Sequence, residues 1–385
     1  MLTLLTTIYI GGTLILLSVI ASLASPFLRK LTINTEEDDL SGEQKQPLPG
    51  ISIIIPAHKG AAFLEENLPY FLQQQYTSPF QVVVVAEKGD TDTEDVLKRL
   101  GASDKLYATF LPMSSRYMSR RKLAITVGVK AAKYEWCLLT EASCRPDSDF
   151  WLASMATAMH EDKAIAMGYT HFPDDKVTDY QHFQHFSKAR QMFRSIQRGH
   201  SYGCNCANLA FRKTVFMEGN GFLGNLHLIR GEYDFIVNKF STEDNSSLAI
   251  SPTCWLTDMD VSPKTWTNNR LFYRESKKYM RGSFRYKFPI FMDNLLLHFC
   301  FLANIASIIY ASIINNWILL GASITALFIL FIWRTLACSS ALAKFSTHIS
   351  PFKLFFFQLR SVWTNCRYAI KHHFADKYEF TSHKL

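Results

Sequence analysis

Two long apolar stretches interrupt an otherwise polar chain, one at its start and one toward its C-terminal end. Met1–Leu28 contains no Asp, Glu, Lys or Arg, and neither does Asn294–Trp333. A helix crosses the roughly 30 Å hydrocarbon core of a bilayer with about 20 apolar residues. The first stretch therefore predicts one transmembrane helix. The second is long enough for two helices, joined near Asn315–Asn316.

Between these stretches, short apolar runs alternate with helical patterns. Five runs predict strands: Ile51–Ile55, Gln81–Ala86, Tyr107–Leu111, Trp136–Thr140 and Ala164–Tyr169. Helical patterns separate the first four: Phe63–Gln75, Thr93–Leu100 and Ser119–Lys133. Continuous apolar strands that alternate with helices are typical of a mainly parallel α/β sheet covered on both faces. Such sheets bind ligands beyond the carboxyl ends of their strands, so the loops after Ile55, Ala86 and Thr140 are the candidate binding loops.

This pattern divides the chain into six segments. They are an anchor at 1–28, a linker at 29–49, an α/β domain at 50–266, a basic interfacial segment at 267–290, a transmembrane hairpin at 291–336 and a tail at 337–385. Within the tail, Phe352–Ile370 mixes aromatic and basic residues. That mixture favours a helix lying in the membrane interface, with a fourth span as the alternative.

Basic residues follow the first apolar stretch and flank the second at both ends. Arg29 follows the first stretch, seven basic residues lie between Arg270 and Lys287 ahead of the second, and Arg334 follows it. By the positive-inside rule, this distribution places the α/β domain and the C-terminus in the cytoplasm. The net charge of +8 is then explained by contact with membrane lipid, without a nucleic-acid partner. A cleaved signal peptide is the alternative for the first stretch, but no basic residue precedes it.

Six short segments between Ile51 and Trp266 place polar and small residues at the ends of the expected elements. They are ISIIIPAHKG (51–60), QVVVVAEKGDTDT (81–93), SSRYMSRRKLAITVGVKAA (114–132), TEASCRP (140–146), GCNCANLAFRK (203–213) and GEYD (231–234). In this order they resemble the motifs of glycosyltransferase family 2, in a membrane-anchored bacterial branch. The resemblance implies a GT-A fold, with a Rossmann-like, mainly parallel sheet. It also implies an inverting hexosyltransferase of polysaccharide biosynthesis at the bacterial inner membrane.

Sugar transfer from a nucleoside diphosphate requires a nucleotide pocket, a cation against the departing diphosphate and a base for the acceptor hydroxyl. The substrates implied are a nucleoside diphosphate sugar and a lipid-linked or saccharide acceptor. The resemblance assigns the nucleotide sugar to six residues: Pro56, His58, Glu87, Asp90, Lys122 and Glu141. Glu87 or Asp90 would contact the base or the ribose. Each of these two carboxylates could equally be an ordinary loop charge.

The Asp-x-Asp metal motif of the family is replaced here by Glu141-Ala142-Ser143. Carboxylate oxygens suit Mg²⁺ or Mn²⁺, and the Ser143 hydroxyl is a much poorer ligand. The cofactor implied is therefore Mg²⁺ or Mn²⁺ at Glu141 and Ser143, bound weakly or lost. Three cations could replace the ion: Arg120, Arg121 and Lys122. Asp147 and Asp149 follow closely and could compensate as metal ligands, but we expect them instead to cap the helix that begins near Phe150.

The catalytic base is expected in Gly231-Glu232-Tyr233-Asp234. The family carries an acidic cluster here, and its middle position is Tyr233 in this chain. We therefore assign the base to Asp234, with Glu232 as the second choice. The family's acceptor loop is rich in Gly and Asn, and three residues match that character: Gly203, Asn205 and Asn208.

Polymerases of the family carry Gln-x-x-Arg-Trp, where this chain has Lys278-Tyr279-Met280-Arg281-Gly282. The missing aromatic residue predicts a single addition. Lys278 and Arg281 are expected to bind a phosphate of the donor or acceptor, or else anionic lipid headgroups. The metal, base and aromatic positions all depart from the family. The alternative function is therefore a catalytically silent relative that binds a nucleotide sugar or a partner in a polysaccharide-assembly complex.

Overall fold

The structure is a computed structural model of the 385-residue chain, and it describes residues 2–31, 47–101, 103–112, 119–199, 201–345 and 349–381. Most of the expected linker at 29–49 lies outside these residues, as do the first five residues of the segment 114–132. The chain forms two compact units. The helical unit comprises Met1–Leu31 and Phe284–Arg367, and the α/β unit comprises Thr32–Ser283 and Tyr368–Leu385.

The elements are numbered in chain order. The helices are α1 (Leu2–Leu23), α2 (Ala61–Leu72), α3 (Thr91–Leu100), α4 (Arg120–Ala131), α5 (Trp151–Ala156), α6 (Asp179–Ile196), α7 (Lys213–Glu218), α8 (Glu232–Phe240), α9 (Pro263–Ser276), α10 (Ser283–Ile313), α11 (Trp317–Ala343), α12 (Pro351–His373) and α13 (Tyr378–Thr381). The strands are β1 (Ile51–Pro56), β2 (Phe80–Glu87), β3 (Leu106–Leu111), β4 (Trp136–Leu139), β5 (Cys144–Pro146), β6 (Ile165–Gly168), β7 (Thr170–His171), β8 (Leu209–Arg212), β9 (Ser246–Ala249) and β10 (Leu256–Asp258).

Among the residues that the structure describes, three helices, α1, α10 and α11, are long and apolar enough to cross a membrane. This confirms the expectation of a membrane protein with one apolar helix before the α/β domain and two after it. α1 approaches α11 so closely that a Cβ at Gly11 would lie 2.8 Å from the Ala322 side chain. Asn304 Nδ2 of α10 donates to Ser18 Oγ of α1 at 2.9 Å. Small residues and interhelical hydrogen bonds of this kind hold apolar helices together where burial from water contributes little.

Arg334 joins four helices inside the helical unit. Its guanidinium forms a two-pronged ion pair with Asp293 of α10, at 2.7 and 3.0 Å. It also donates to the Ala21 carbonyl of α1 at 2.9 Å and to Gln358 Oε1 of α12 at 3.0 Å. The sequence placed Arg334 on the basic flank after the last span, but α11 continues to Ala343 and the side chain is only 1% exposed. A buried charge of this kind is tolerated because it is paired and each of its three nitrogens donates a hydrogen bond.

The α/β unit is built on a seven-stranded sheet in the order β3-β2-β1-β4-β8-β6-β9. The first four of these strands are parallel, and β8 runs antiparallel between β4 and β6. Val82 and Val84 of β2 pack in the same core cluster as Leu68 of α2. Val83 and Val85 point to the other face, in a cluster with α4. Both faces are covered, which explains the continuous apolar run and confirms the mainly parallel α/β class.

A smaller three-stranded sheet, in the order β5-β10-β7, lies beyond the end of β4 in sequence. It was not expected, since β5 and β10 have three residues each and β7 has two, too few to show a period of two. β10 pairs antiparallel with β5, with Asp258 opposite Cys144. This pairing brings a carboxylate more than a hundred positions away beside the loop that follows β4.

Candidate active site

The carboxyl ends of the central strands meet at one edge of the large sheet. In the register of the sheet, Ile54 lies opposite Val83 on one side and Leu139 on the other. Glu87 ends β2, and Glu141 follows β4 by two residues. Both carboxylates therefore leave the sheet at the same edge, next to the buried end of β1 at Pro56.

The loops after β1 and β2 are tied together at this edge. Glu87 Oε1 lies 3.1 Å from His58 Nδ1 and accepts a hydrogen bond from Arg120 Nε of α4 at 2.5 Å. The Lys59 amide donates to Asp90 Oδ2 at 3.1 Å, and the Asp90 side chain also caps α3. The structure thus brings together three of the residues expected to bind nucleotide. Asp90 also has a structural role, because its side chain caps α3.

Glu141 lies where the loop after β4 meets the start of α8. Its Oε1 accepts from Tyr233 Oη at 2.8 Å and forms an ion pair with Arg121 Nη2. Arg121 Nε lies 3.8 Å from Glu232 Oε2. Two positions at which the sequence departs from family 2, Glu141 and Tyr233, therefore contact each other directly.

Ser143 is paired with a carboxylate that the sequence analysis did not select. Its hydroxyl donates to Asp258 Oδ1 at 2.8 Å, and the Asp260 amide donates to the same oxygen at 3.1 Å. Burial raises the pKa of Asp258 to about 6, against the lowering effect of these two bonds. No local pattern could have singled out Asp258, because it lies on β10, whose pairing with β5 is too short to recognise.

Asp147 does not cap the helix that follows it, and that expectation was wrong. The N-cap residue of α5 is Phe150, which forms no side-chain capping hydrogen bond. Asp147 instead accepts from Thr257 Oγ1 and lies 2.5 Å from His171 Nε2. Thr257 and His171 belong to the smaller sheet, which draws the carboxylate away from the helix.

Asp234 lies in the first turn of α8 and is 7% exposed. Its Oδ1 accepts from the Cys204 amide at 3.1 Å. Burial raises the pKa of Asp234 to about 6, although the charge of Lys188 and the Cys204 bond lower it. A carboxylate that changes protonation state near neutral pH suits a general base.

Gly203 leaves almost no space beside this carboxylate. A Cβ at Gly203 would lie 2.5 Å from Asp234 Oδ1 and 2.8 Å from the Met280 methyl group. We expect Gly203→Ala to displace the Asp234 carboxylate and lower turnover by about 10²-fold, the order seen for small displacements of catalytic groups. The matched control is Gly321→Ala, where the new Cβ meets nothing within 4 Å. Equal turnover of the two purified variants would show that Asp234 is not held by this contact.

Residues 14–369 match the sequence model described as glycosyl transferase family 21. The chain belongs to glycosyl transferase family 21. It is therefore a glycosyltransferase, as the sequence predicted, whereas the assignment to family 2 is not confirmed by this match. No curated protein matches the chain.

Two solved structures are similar to this family 21 protein. The mannosyltransferase PcManGT from Pyrobaculum calidifontis, in complex with GDP-Man and Mn²⁺, has 15% sequence identity and a TM-score of 0.52, over 95% of this chain and 98% of that one. The structure of S. aureus TarS 1–349 has 14% identity and a TM-score of 0.43, over 82% of this chain and 92% of that one. At such identities the likeness to PcManGT concerns the fold alone. It agrees with the GT-A class.

Two residues expected at the substrates of the family 21 transferase are engaged in the protein interior instead. The Lys122 ammonium is 1% exposed and donates to the Asn225 and Leu228 carbonyls and to Asn225 Oδ1, at 2.5–2.6 Å. Its burial lowers its pKa to about 8. Asn208 is fully buried, and its amide donates to the Tyr169 and Cys254 carbonyls. Both side chains hold loops in place.

The remaining expected residues lie on more open parts of the α/β unit. Asn205 Nδ2 lies 3.5 Å from His185 Nδ1, and Lys278 Nζ forms an ion pair with Glu275 at 2.6 Å. Arg281 is exposed, and its backbone forms two hydrogen bonds with the Asn238 side chain. None of these contacts joins Asn205, Lys278 or Arg281 to Glu141 or Glu87.

The loop before α8 is fixed by a segment that sequence reasoning missed. Ser119 Oγ donates to the Ile229 carbonyl at 2.7 Å, and the Ile229 amide donates to the Phe380 carbonyl at 3.0 Å. Phe380 is 3% exposed and packs edge-on against Phe272, with ring centroids 5.4 Å apart. α13 thus holds the entry to the helix that carries Asp234. Phe374, Tyr378 and Phe380 are irregularly spaced in this polar part of the tail, so they give no periodic signal.

The residues at the expected metal position do not fit a divalent ion. Within the part of the chain that the structure describes, no three or more His, Cys, Asp or Glu side chains are arranged to hold a metal. The Glu141 carboxylate is engaged by Arg121 and Tyr233, and the Ser143 hydroxyl by Asp258. Mg²⁺ and Mn²⁺ require several convergent oxygen ligands, and this arrangement presents a guanidinium to the Glu141 carboxylate.

Proposed function

We propose that this family 21 glycosyltransferase moves a hexose from a nucleoside diphosphate sugar to a lipid-linked or saccharide acceptor, with inversion and one sugar at a time. The observation that carries the proposal is Asp234, a buried carboxyl group with a pKa raised to about 6. It begins a helix whose Tyr233 contacts Glu141 at the carboxyl edge of the sheet. Ligands of open α/β sheets bind at that edge, so the base would lie beside the donor.

The proposed roles follow the two sides of the site. Pro56, His58, Glu87 and Asp90 would line the nucleotide, because their loops are tied to each other at the ends of β1 and β2. Gly203 and Asn205 would face the acceptor. In the reaction, an acceptor oxygen attacks the anomeric carbon, the bond from that carbon to the diphosphate oxygen breaks, and Asp234 takes the acceptor proton. The acceptor oxygen attacks the face of the anomeric carbon opposite the leaving diphosphate, so the configuration at that carbon inverts.

The membrane location of the site is part of the same proposal. The basic residues around α9 favour a cytoplasmic α/β unit at a bacterial inner membrane. Lys278 and Arg281 would then bind either an acceptor phosphate or an anionic headgroup. A Mg²⁺ or Mn²⁺ ion has no part in the steps above, because the donor set at Glu141 and Ser143 does not fit one.

Turnover by the purified full-length protein tests the proposal. Nucleoside diphosphate release would be measured with a panel of UDP- and GDP-sugars, alone and with lipid-phosphate or oligosaccharide acceptors. We expect release with one donor, stimulated by one acceptor class, and an NMR spectrum in which the product anomer is opposite to that of the donor. A product of retained configuration would contradict the single displacement, and multiple additions would contradict the single transfer.

One observation favours a second candidate function, that of a catalytically silent relative that binds a nucleotide sugar without transferring the sugar. The carboxylate of Glu141 is held by both Arg121 and Tyr233, an arrangement that closes the metal position. Saturable binding of a nucleotide sugar, with no release under any acceptor, would support this candidate over the enzyme.

A further inference from the structure

The position that a divalent cation would occupy is taken by an arginine that begins α4. Arg121 Nη2 forms the ion pair with Glu141, and Arg121 Nε faces Glu232 Oε2 at 3.8 Å. The guanidinium side chain is 28% exposed, so it is reachable from solvent while its carboxylate partners are nearly buried. A guanidinium carries five fixed N–H donors and keeps its charge at any physiological pH. Two contacts leave donors for a further anion.

Polar atoms between these residues have no hydrogen-bond partner in the described chain. Arg121 Nε and Glu232 Oε1 are both buried and unsatisfied. Buried polar atoms are nearly always paired in native structures, and an exception calls for an explanation such as an ion or water that would pair with it. Arg121 therefore combines unmet hydrogen-bonding capacity with a guanidinium that is partly open to solvent and lies between the carboxylates of Glu141 and Glu232.

We propose that Arg121 binds the diphosphate of a nucleoside diphosphate in place of a divalent cation. The inference rests on the proposed function and deepens it, since it names what neutralises the leaving group. Planar guanidinium groups bind phosphate oxygens through paired hydrogen bonds, and they supply the charge that a metal supplies elsewhere. The Glu141 carboxylate, which pairs with Arg121, would compete with the diphosphate for the guanidinium.

Binding of UDP and GDP to the full-length protein in detergent tests this assignment without relying on turnover. Titration calorimetry would be run in EDTA and again in Mn²⁺. We expect one of the two nucleotides to bind with the same affinity in both buffers, within about twofold. Arg121→Gln should weaken that affinity by about 10- to 100-fold, because it removes charge-assisted hydrogen bonds. Arg99→Gln is the matched control, since Arg99 forms an exposed surface pair with Glu65.

Glu141→Gln separates the two explanations of the site. If Glu141 is a metal ligand, the variant binds nucleotide more weakly and the loss appears only with Mn²⁺. If Arg121 replaces the metal, the variant binds with equal or greater affinity in EDTA, because the carboxylate no longer competes for the guanidinium. Binding that requires Mn²⁺, or binding unchanged by Arg121→Gln, overturns the inference alone. If neither UDP nor GDP binds in either buffer, both this inference and the proposed function are overturned. If a nucleotide binds but no sugar is transferred, only the proposed function is overturned.

Discussion

Asp234→Asn is expected to lower sugar transfer by about 10²- to 10⁴-fold, the contribution typical of a positioned general base. The amide oxygen of Asn can still accept from the Cys204 amide at the 3.1 Å position, so the loop is retained while the base is lost. Transfer measured with the donor and acceptor found for the native protein would show this. Asp95→Asn is the control, because Asp95 is an exposed carboxylate paired only with Lys98.

The same variant should show a characteristic dependence on pH. Burial raises the pKa of Asp234 to about 6, above the ordinary value of 3.8. Ionising the carboxylate therefore destabilises the fold above pH 6, and this cost disappears as the pH falls toward 4. We expect native activity to fall as the pH drops through 6, since the base becomes protonated. Asp234→Asn should be more stable to heat than the native protein at pH 7.5 and similar to it near pH 4.

Two results would contradict this role for Asp234. Transfer by Asp234→Asn at a rate near that of Asp95→Asn would move the base elsewhere, and Glu232 would be the next residue to substitute. A native pH profile that is flat between 5 and 7 would show that no group with a raised pKa limits the reaction. Loss of folding in Asp234→Asn, measured by thermal unfolding, would contradict the expected gain in stability.

Arg334→Met is expected to cost the helical unit about 3–5 kcal/mol, the range found when one partner of a buried ion pair is removed. The substitution leaves Asp293 as an uncompensated charge, and it removes the bonds to Ala21 and Gln358. Thermal unfolding in detergent, at fixed detergent concentration, would measure the loss. Arg367→Met is the matched control, since Arg367 is an exposed residue of the same unit.

A double variant distinguishes lost charge balance from lost packing. Asp293→Leu combined with Arg334→Met removes both charges and leaves apolar side chains in their place. Buried ion pairs are often replaced by apolar groups at little net cost, so we expect the double variant to recover most of the stability that Arg334→Met loses. A double variant as unstable as the single one would show that the hydrogen bonds to Ala21 and Gln358, and not the pairing of charges, hold these helices.

The parallel half of the sheet was predictable because each of its strands has both faces buried. Val82 to Val85 alternate between the α2 and α4 faces, and the sequence shows the result as an unbroken apolar run. β5, β8 and β10 have three or four residues each and lie among polar loops, so no period identifies them. The sequence therefore indicates the edge where Glu87 and Glu141 emerge, but not the smaller sheet that brings Asp258 to Ser143.

The site was less predictable than the fold because a motif names residue types and not their partners. Lys122 stands beside Arg121 in sequence, yet its ammonium is taken up by carbonyls of the loop before α8. From the sequence, Tyr233 was recognisable only as a departure from the acidic cluster of the family, and Arg121 only as one of three cations that could replace the metal. Both residues contact Glu141. Tyr233 is 92 residues away from Glu141 in sequence, so their contact depends on where the fold places α8.

The bond between the Phe380 carbonyl and the Ile229 amide has a consequence for biosynthesis. Between these two residues the chain passes through both of the late apolar helices, α10 and α11. Since a nascent chain emerges from its N-terminus onward, α13 leaves the ribosome only after those helices. The loops proposed to face the nucleotide can fold early, but the support for the proposed base arrives only after those helices. Maturation of the enzyme would thereby be delayed until insertion into the bilayer is complete.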